Sequence, residues 1–138
     1  MPNSQVDVTA GAPNLESYMD NGDGTVTDNV TGLMWQQAVP SATYTWGDAV
    51  AYCQTLTLAF HSDWRLPSRI ELFSIEDLGQ SPAPYINGTY FPNTPAWFWS
   101  SSPVAGSPSN AWSVDFSFDP GNWGNDDVSS TYYVRCVR

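Results

Sequence analysis

Residues able to do chemistry are few in this chain. Its one histidine is His61, its cysteines are Cys53 and Cys136, and its carboxylates cluster in Asp20-Asn21-Gly22-Asp23-Gly24 and Asp126-Asp127. His61 precedes Ser62-Asp63 with no nucleophilic Ser or Cys in a recognisable local motif, so nothing arms it as a base. It reads as a loop residue. Glycosidase-type acid–base work needs two carboxylates at a defined separation across a substrate. Asp126 and Asp127 are adjacent, and neighbouring carboxylates point apart or repel. The Asp20–Gly24 run invites calcium, since an EF-type loop takes ligands at positions one, three and five. Counting from Asp20, those positions fall on Asp20, Gly22 and Gly24. That register fails, and the run reads as a turn. The chain is therefore expected to hold no metal or cofactor and not to be an enzyme.

Cys53 and Cys136 lie far apart and match neither a CxxC redox motif nor a zinc site. A disulfide tying the two halves is one option, worth about 4–5 kcal/mol in the chain-entropy model. Two free buried thiols are the other. Arg65 and Arg135 sit in apolar surroundings, Trp64-Arg65-Leu66 and Val134-Arg135-Cys136. Each suits a partly buried guanidinium paired with a carboxylate such as Glu71 or Asp115; the functional alternative is an anion clamp.

Charge excludes several partners. There is no lysine, four arginines face fourteen carboxylates, and the net charge is −10. Nucleic acid, heparin-like polymers and anionic membranes need clustered Lys and Arg. No run of eighteen apolar residues appears, so no membrane insertion is expected. The first thirty residues lack a charged start with an apolar core, and no signal peptide is read there. A length of 138 residues predicts one domain, residues 14–138, behind a flexible tail over residues 1–13.

The elements that must position these residues follow from local pattern. Thr25–Asp28 and Leu33–Gln36 read as a hairpin after the Asp20–Gly24 turn. Thr45 caps a helix from Trp46 to about Leu56, whose stripe Trp46, Ala49, Val50, Cys53 and Leu56 points Cys53 at the core. Ser68 and Glu71 form a capping box for a second helix, with Ile70, Phe73 and Leu78 as its buried face and Gly79 at its end. Proline-rich Gln80–Pro95 reads as an ordered loop or short ribbon. Trp97–Ser102, Ala111–Phe116 and Tyr132–Arg138 read as strands, joined by polar connectors Pro103–Asn110 and Asp119–Thr131. Helices ahead of most of the sheet predict an α+β fold with helices packed on antiparallel sheet.

The C-terminal third, Trp97 to Arg138, is the part suited to binding. It carries nine Ser, three Asn and four Trp, a mix in which aromatic rings supply contact area and Ser and Asn supply adaptable hydrogen bonding. A Ser-rich β domain with merely solvated loops would share this composition. Candidate ligand-binding residues are Ser109, Asn110, Phe118, Asp119, Asn122, Trp123, Asn125, Asp126, Asp127, Ser129 and Ser130, with Trp112 and Tyr132 at the margin. Trp123 is the expected anchor. Asn110, Phe118 and Asn122–Asp127 are expected to converge on one surface.

Asp23-Gly24-Thr25-Val26-Thr27-Asp28, Thr31-Gly32-Leu33-Met34-Trp35, Asp63-Trp64-Arg65-Leu66-Pro67-Ser68, Trp99-Ser100-Ser101-Ser102 and Tyr133-Val134-Arg135-Cys136-Val137-Arg138 occur in this order. The series resembles the C-terminal domain family of Legionella collagen-like proteins, from about Tyr18 to Arg138. That family is similar in layout to the C-type lectin fold, in which a helix cysteine pairs with a closing-strand cysteine. The resemblance thus implies pairing of Cys53 with Cys136. It also implies non-catalytic binding of a protein or cell-surface ligand in an extracellular, cell-surface or virion setting. Some members are variable proteins of diversity-generating retroelements, varied within the last forty or so residues. Neutral-carbohydrate binding, or a structural role in a surface or virion fibre, would suit the same frame. The collagen-like proteins bind sulfated polysaccharides, which calls for basic surface; this acidic chain departs from them there. Trp123-Gly124-Asn125-Asp126 resembles the Trp-Asn-Asp calcium ligands of sugar-binding C-type lectins, but Gly124 interrupts it and no Glu-Pro-Asn partner precedes it.

Overall fold

In the computed structural model, which describes residues 16–77, 79–80, 82–117 and 123–138 with Trp123 by its backbone only, the aspartates of the first acidic run serve the turn itself. Asp20 Oδ1 accepts from the Gly22 amide at 2.9 Å and Asp23 Oδ1 from the Thr25 amide at 3.1 Å. Gly22 and Gly24 take φ of +74° and +88°, which glycine adopts without steric cost. The turn joins β1 (Tyr18–Asp20) to β2 (Thr25–Asp28). Asp28 then holds the next turn through the Val30 amide at 2.9 Å, and β3 (Met34–Gln36) returns. The antiparallel order is β1-β2-β3, with Tyr18 opposite Asp28 and Val26 opposite Trp35. The expected hairpin is present, and β1 adds an edge strand to it.

Helix α1 (Trp46–Thr55) starts where its cap predicts, with Thr45 Oγ1 accepting from the Asp48 amide and Ala49 and Cys53 buried. Helix α2 (Arg69–Ser74) has the expected capping box: Ser68 Oγ accepts from the Glu71 amide while the Glu71 carboxylate accepts from the Ser68 amide. Its end and its buried face differ from expectation. It stops at Ser74 rather than Gly79, because Glu76 bridges to Ile86 and the Asp77 amide donates to Tyr85 O, which draws the chain into extended pairing. Leu72 and Ile75, three apart, take the inner side, leaving Ile70 77% exposed and Phe73 partly buried. Leu78 lies outside the described residues. The described part of the Gln80–Pro95 region is an irregular loop that nonetheless contributes fully buried Ile86 and Phe91 to the core.

The second sheet is antiparallel with order β4-β5-β6: β4 (Trp97–Val104), β5 (Ser107–Asp115) and β6 (Trp123–Asp127). The described parts of the expected connectors are largely strand. Pro103–Asn110 supplies the outer ends of β4 and β5 around an Ala105-Gly106 turn, with Gly106 at φ +76°. The longer connector folds back as β6. These outer ends lack apolar alternation because they are held by backbone pairing, beyond the part of the sheet that covers the core. The closing segment departs from expectation the other way. Residues 132–138 make single bridges, Tyr132 to Tyr44, Tyr133 to Phe98, and Val137 to both Trp35 and Arg65. Val134 through Val137 are all buried, since the segment is flanked on both sides.

Two apolar clusters result. One gathers Val26, Trp35, Leu72, Ile75, Ile86, Phe91, Phe98, Val114 and Phe116. The other surrounds the disulfide Cys53–Cys136 (Cα–Cα 5.5 Å) with Ala49, Trp64, Trp99 and Ala111. Arg65 pairs with Glu71 as expected, through two contacts of 2.6 and 2.7 Å. Arg135 does not pair with Asp115, whose Oδ1 accepts from the Ser117 amide and hydroxyl. The buried Arg135 guanidinium donates to Thr94 Oγ1 at 3.2 Å and lies over the Phe91 ring, 4.8 Å from its centroid. Its burial pushes the guanidinium down to about 9, still cationic at neutral pH.

Candidate functional site

The β5–β6 ladder decides which candidate residues share a surface. Asn110 stands opposite Asp127 and Trp112 opposite Asn125, while Ala111 stands opposite Asp126 and Ser113 opposite Gly124. Side chains alternate across a sheet, and directly opposed residues share a face. Asn110, Trp112, Asn125 and Asp127 therefore lie on one face. Ala111, Asp126 and Gly124 lie on the other, which packs towards α1 and the disulfide cluster.

On the first face the side chains are tied to one another. Asn110 Nδ2 donates to Asn125 Oδ1 at 2.9 Å. Asp127 Oδ1 accepts from the Ser129 amide and hydroxyl at 2.9 and 2.6 Å, which holds the Asp127 carboxyl below the usual carboxylate range. Trp112 is half-buried, and the Arg69 guanidinium lies over its ring, 4.4 Å from the centroid. Arg69 is the first residue of α2, and its amide donates to Ser102 Oγ on β4. Further inward the same face becomes core at Val114. The outer surface is thus a cation-covered indole bordered by amides and a carboxylate.

On the reverse face, Tyr132 packs against Trp99 (4.7 Å between ring centroids) and Trp97 (6.0 Å). Burial, and then the Asp126 carboxylate facing its hydroxyl, push the Tyr132 phenol up to about 12. Asp126 and Tyr132 thus support the frame rather than the outer face. The frame is further pinned by two indole N–H groups, Trp46 to Ser100 O and Trp99 to Tyr44 O, each at 2.8 Å.

Of the expected convergence, the structure brings together Asn110, Asn125 and Asp127 and adds Trp112; it turns Asp126 away. Ser109 is exposed at the ladder's end, its carbonyl accepting from the Val128 amide, while half-buried Ser130 donates its amide to Asp127 O. Phe118, Asp119 and Asn122 lie outside the described residues. Trp123 opposes Val114 through its backbone, and its ring is outside the description as well. Arg69 was missed by sequence reasoning. It carries a helix-start signal, but nothing local connects it to an indole on β5. Among the described residues, no three His, Cys, Asp or Glu side chains are grouped so as to hold a metal ion, and no helix is long and apolar enough to cross a membrane.

The model of the Lcl C-terminal domain matches residues 24–138. The chain belongs to that family. The match takes in β2 through the closing segment and therefore both cysteines, both helices and the whole second sheet of this Lcl C-terminal domain. Strand β1 lies ahead of it. No curated protein matches the chain.

Proposed function

We propose that this Lcl C-terminal domain is a non-catalytic recognition module that binds a protein or other cell-surface ligand through the outer face of β5–β6. One observation carries the proposal: Asn110, Trp112, Asn125 and Asp127 stand on one face of a paired ladder, pre-positioned by Arg69 and Ser129. A rigid aromatic with a polar border is the usual anatomy of a recognition hot spot. The disulfide favours an extracellular, cell-surface or virion setting, where thiols are oxidised. A C-type-lectin-like frame agrees with a helix cysteine joined to a closing-segment cysteine. On that frame the domain acts as a variable protein of a diversity-generating retroelement, and β5–β6 falls in the region such proteins vary.

The test is to screen the labelled domain against arrays of cell-surface proteins and glycans, beside the triple variant Asn110→Ala, Asn125→Ala, Asp127→Ala. Wild-type binding lost in the variant, with Tm within a few degrees, is the expected result. A variant that binds as well as wild type would remove the face from consideration. The Asn110–Asn125 amide pair beside an indole also suits sugar hydroxyls, so a neutral-glycan hit dependent on the same residues would make the module a lectin.

A further inference from the structure

Away from that face, Leu58 and His61 form a two-residue hairpin, exchanging backbone hydrogen bonds of 3.0 Å in both directions. The residues between them, Ala59 and Phe60, both adopt left-handed backbone, with φ of +53° and +64°. Two successive positive φ values define the type I′ arrangement, which Asn-Gly, Asp-Gly or Gly-Gly ordinarily supply. Here the sequence places Ala and Phe, and a Cβ in that region is unfavourable. The conformation is enforced from below. The buried Trp64 indole N–H points at both hairpin carbonyls, 3.1 Å from His61 O and 3.3 Å from Leu58 O. At the tip, Phe60 is 105% exposed, so its ring gives the fold no burial.

Backbone strain persists where surrounding structure over-determines it, and it concentrates at functional positions. An apolar ring held out on a strained, clamped turn fits that pattern. Its surroundings are acidic. Leu58 packs against Gly24, its Cδ1 3.4 Å from where a Cβ there would stand, which sets the Asp20–Gly24 turn and its exposed Asp20 and Asp23 beside the hairpin. Asp63, three residues after Phe60 and exposed, is balanced by Arg138 at 2.6 Å, so the acidic character beside the hairpin rests on Asp20 and Asp23.

We propose that the Phe60 tip is a docking point for a protein partner offering an apolar pocket rimmed by lysine or arginine. The ring is the anchor, and the neighbouring carboxylates choose the cationic rim. An anionic bilayer would be repelled by the same carboxylates.

A short amphipathic helix of Leu and Lys, its Leu stripe bordered by Lys, is a defined probe of this chemistry. Calorimetric titration of the whole domain compares it with a Leu→Ser version of the peptide and with vesicles of phosphatidylcholine. The Leu/Lys helix should bind wild type, more weakly at high salt. Phe60→Gly and Phe60→Asn should each weaken it about tenfold or more, the cost of losing an anchor. Glycine also relieves the positive φ, so Phe60→Gly should raise Tm by about a few degrees. The proposal is overturned if wild type shows no measurable binding, or if the variants bind equally, which would mean acidity alone attracts the peptide. It is likewise overturned by Phe60-dependent binding to the vesicles in place of the peptide, or by a lower Tm for Phe60→Gly, which would make the ring part of the fold.

Discussion

Glu71 and Glu16 show how much a single carboxylate's surroundings decide. Glu71 accepts from Arg65 twice and from the Ser68 amide at 2.8 Å, so one side chain closes the capping box and anchors Arg65. Ser68→Ala removes the reciprocal half and should cost about 1 kcal/mol; an unshifted denaturant midpoint would contradict the cap. Glu16 has the opposite environment. It lies two residues ahead of β1, close enough to the buried Asp28 and Asp77 to be repelled by both. Burial first, then repulsion from Asp77 and Asp28, raise its carboxyl above the ordinary 4.5, partly offset by the Asn87 hydrogen bond. The folded state then binds a proton more tightly than the unfolded chain. Stability rises as pH falls from neutral through the raised value and stops rising near 4.5. Below that, the carboxyls held low, Glu71 among them, begin to lose their contribution. Glu16→Gln keeps an acceptor for Asn87 and should raise Tm at neutral pH, with the gain shrinking on acidification. Parallel profiles for variant and wild type would show that Glu16 does not couple to folding.

At the scale of elements, the disulfide joins α1 to a closing segment that itself bridges β3, β4 and Arg65. Reading Cys53 as core-facing needed only the helical stripe. Pairing it with Cys136 needed the closing segment placed between the two sheets, where the Cys136 amide donates to Gln36 Oε1 at 3.1 Å. The cysteines are 83 residues apart, and a loop that long makes the cross-link worth about 4–5 kcal/mol in the chain-entropy model. The double variant Cys53→Ser, Cys136→Ser should lose about that much in chemical denaturation. A loss below about 1 kcal/mol would mean the unfolded chain is already restricted without the bond.

For the whole molecule, a net charge of −10 on a chain without lysine sets the long-range field. Among the described residues the ion pairs are Arg65–Glu71 and Arg138–Asp63, both on partly exposed side chains, and such pairs contribute little. General repulsion should therefore outweigh local attraction at neutral pH. Raising NaCl from low salt to about 0.15 M, where screening acts within about 8 Å, should raise Tm. A falling Tm would show that the two pairs matter more than the overall charge.

By itself the sequence determined what depends on neighbours a few residues apart. The Asp20–Gly24 turn, the Thr45 and Ser68 caps, the inward stripe of α1 and the acidic field all follow from local stereochemistry or simple counting. Alternation also required Asn125 and Asp126 to face opposite ways. Which of them faces solvent was decided only by the β5–β6 register, because pairing energy is nearly independent of side-chain identity in a polar strand without apolar alternation. The stacking of Arg69 on Trp112 likewise exists only once α2 packs on β5. The left-handed Ala59-Phe60 turn runs against local preference altogether. It is held by the nearby Trp64 indole donating to both hairpin carbonyls. That indole is fixed in place by burial in the cluster around the disulfide, a tertiary packing that overrides the conformations those two residues favour.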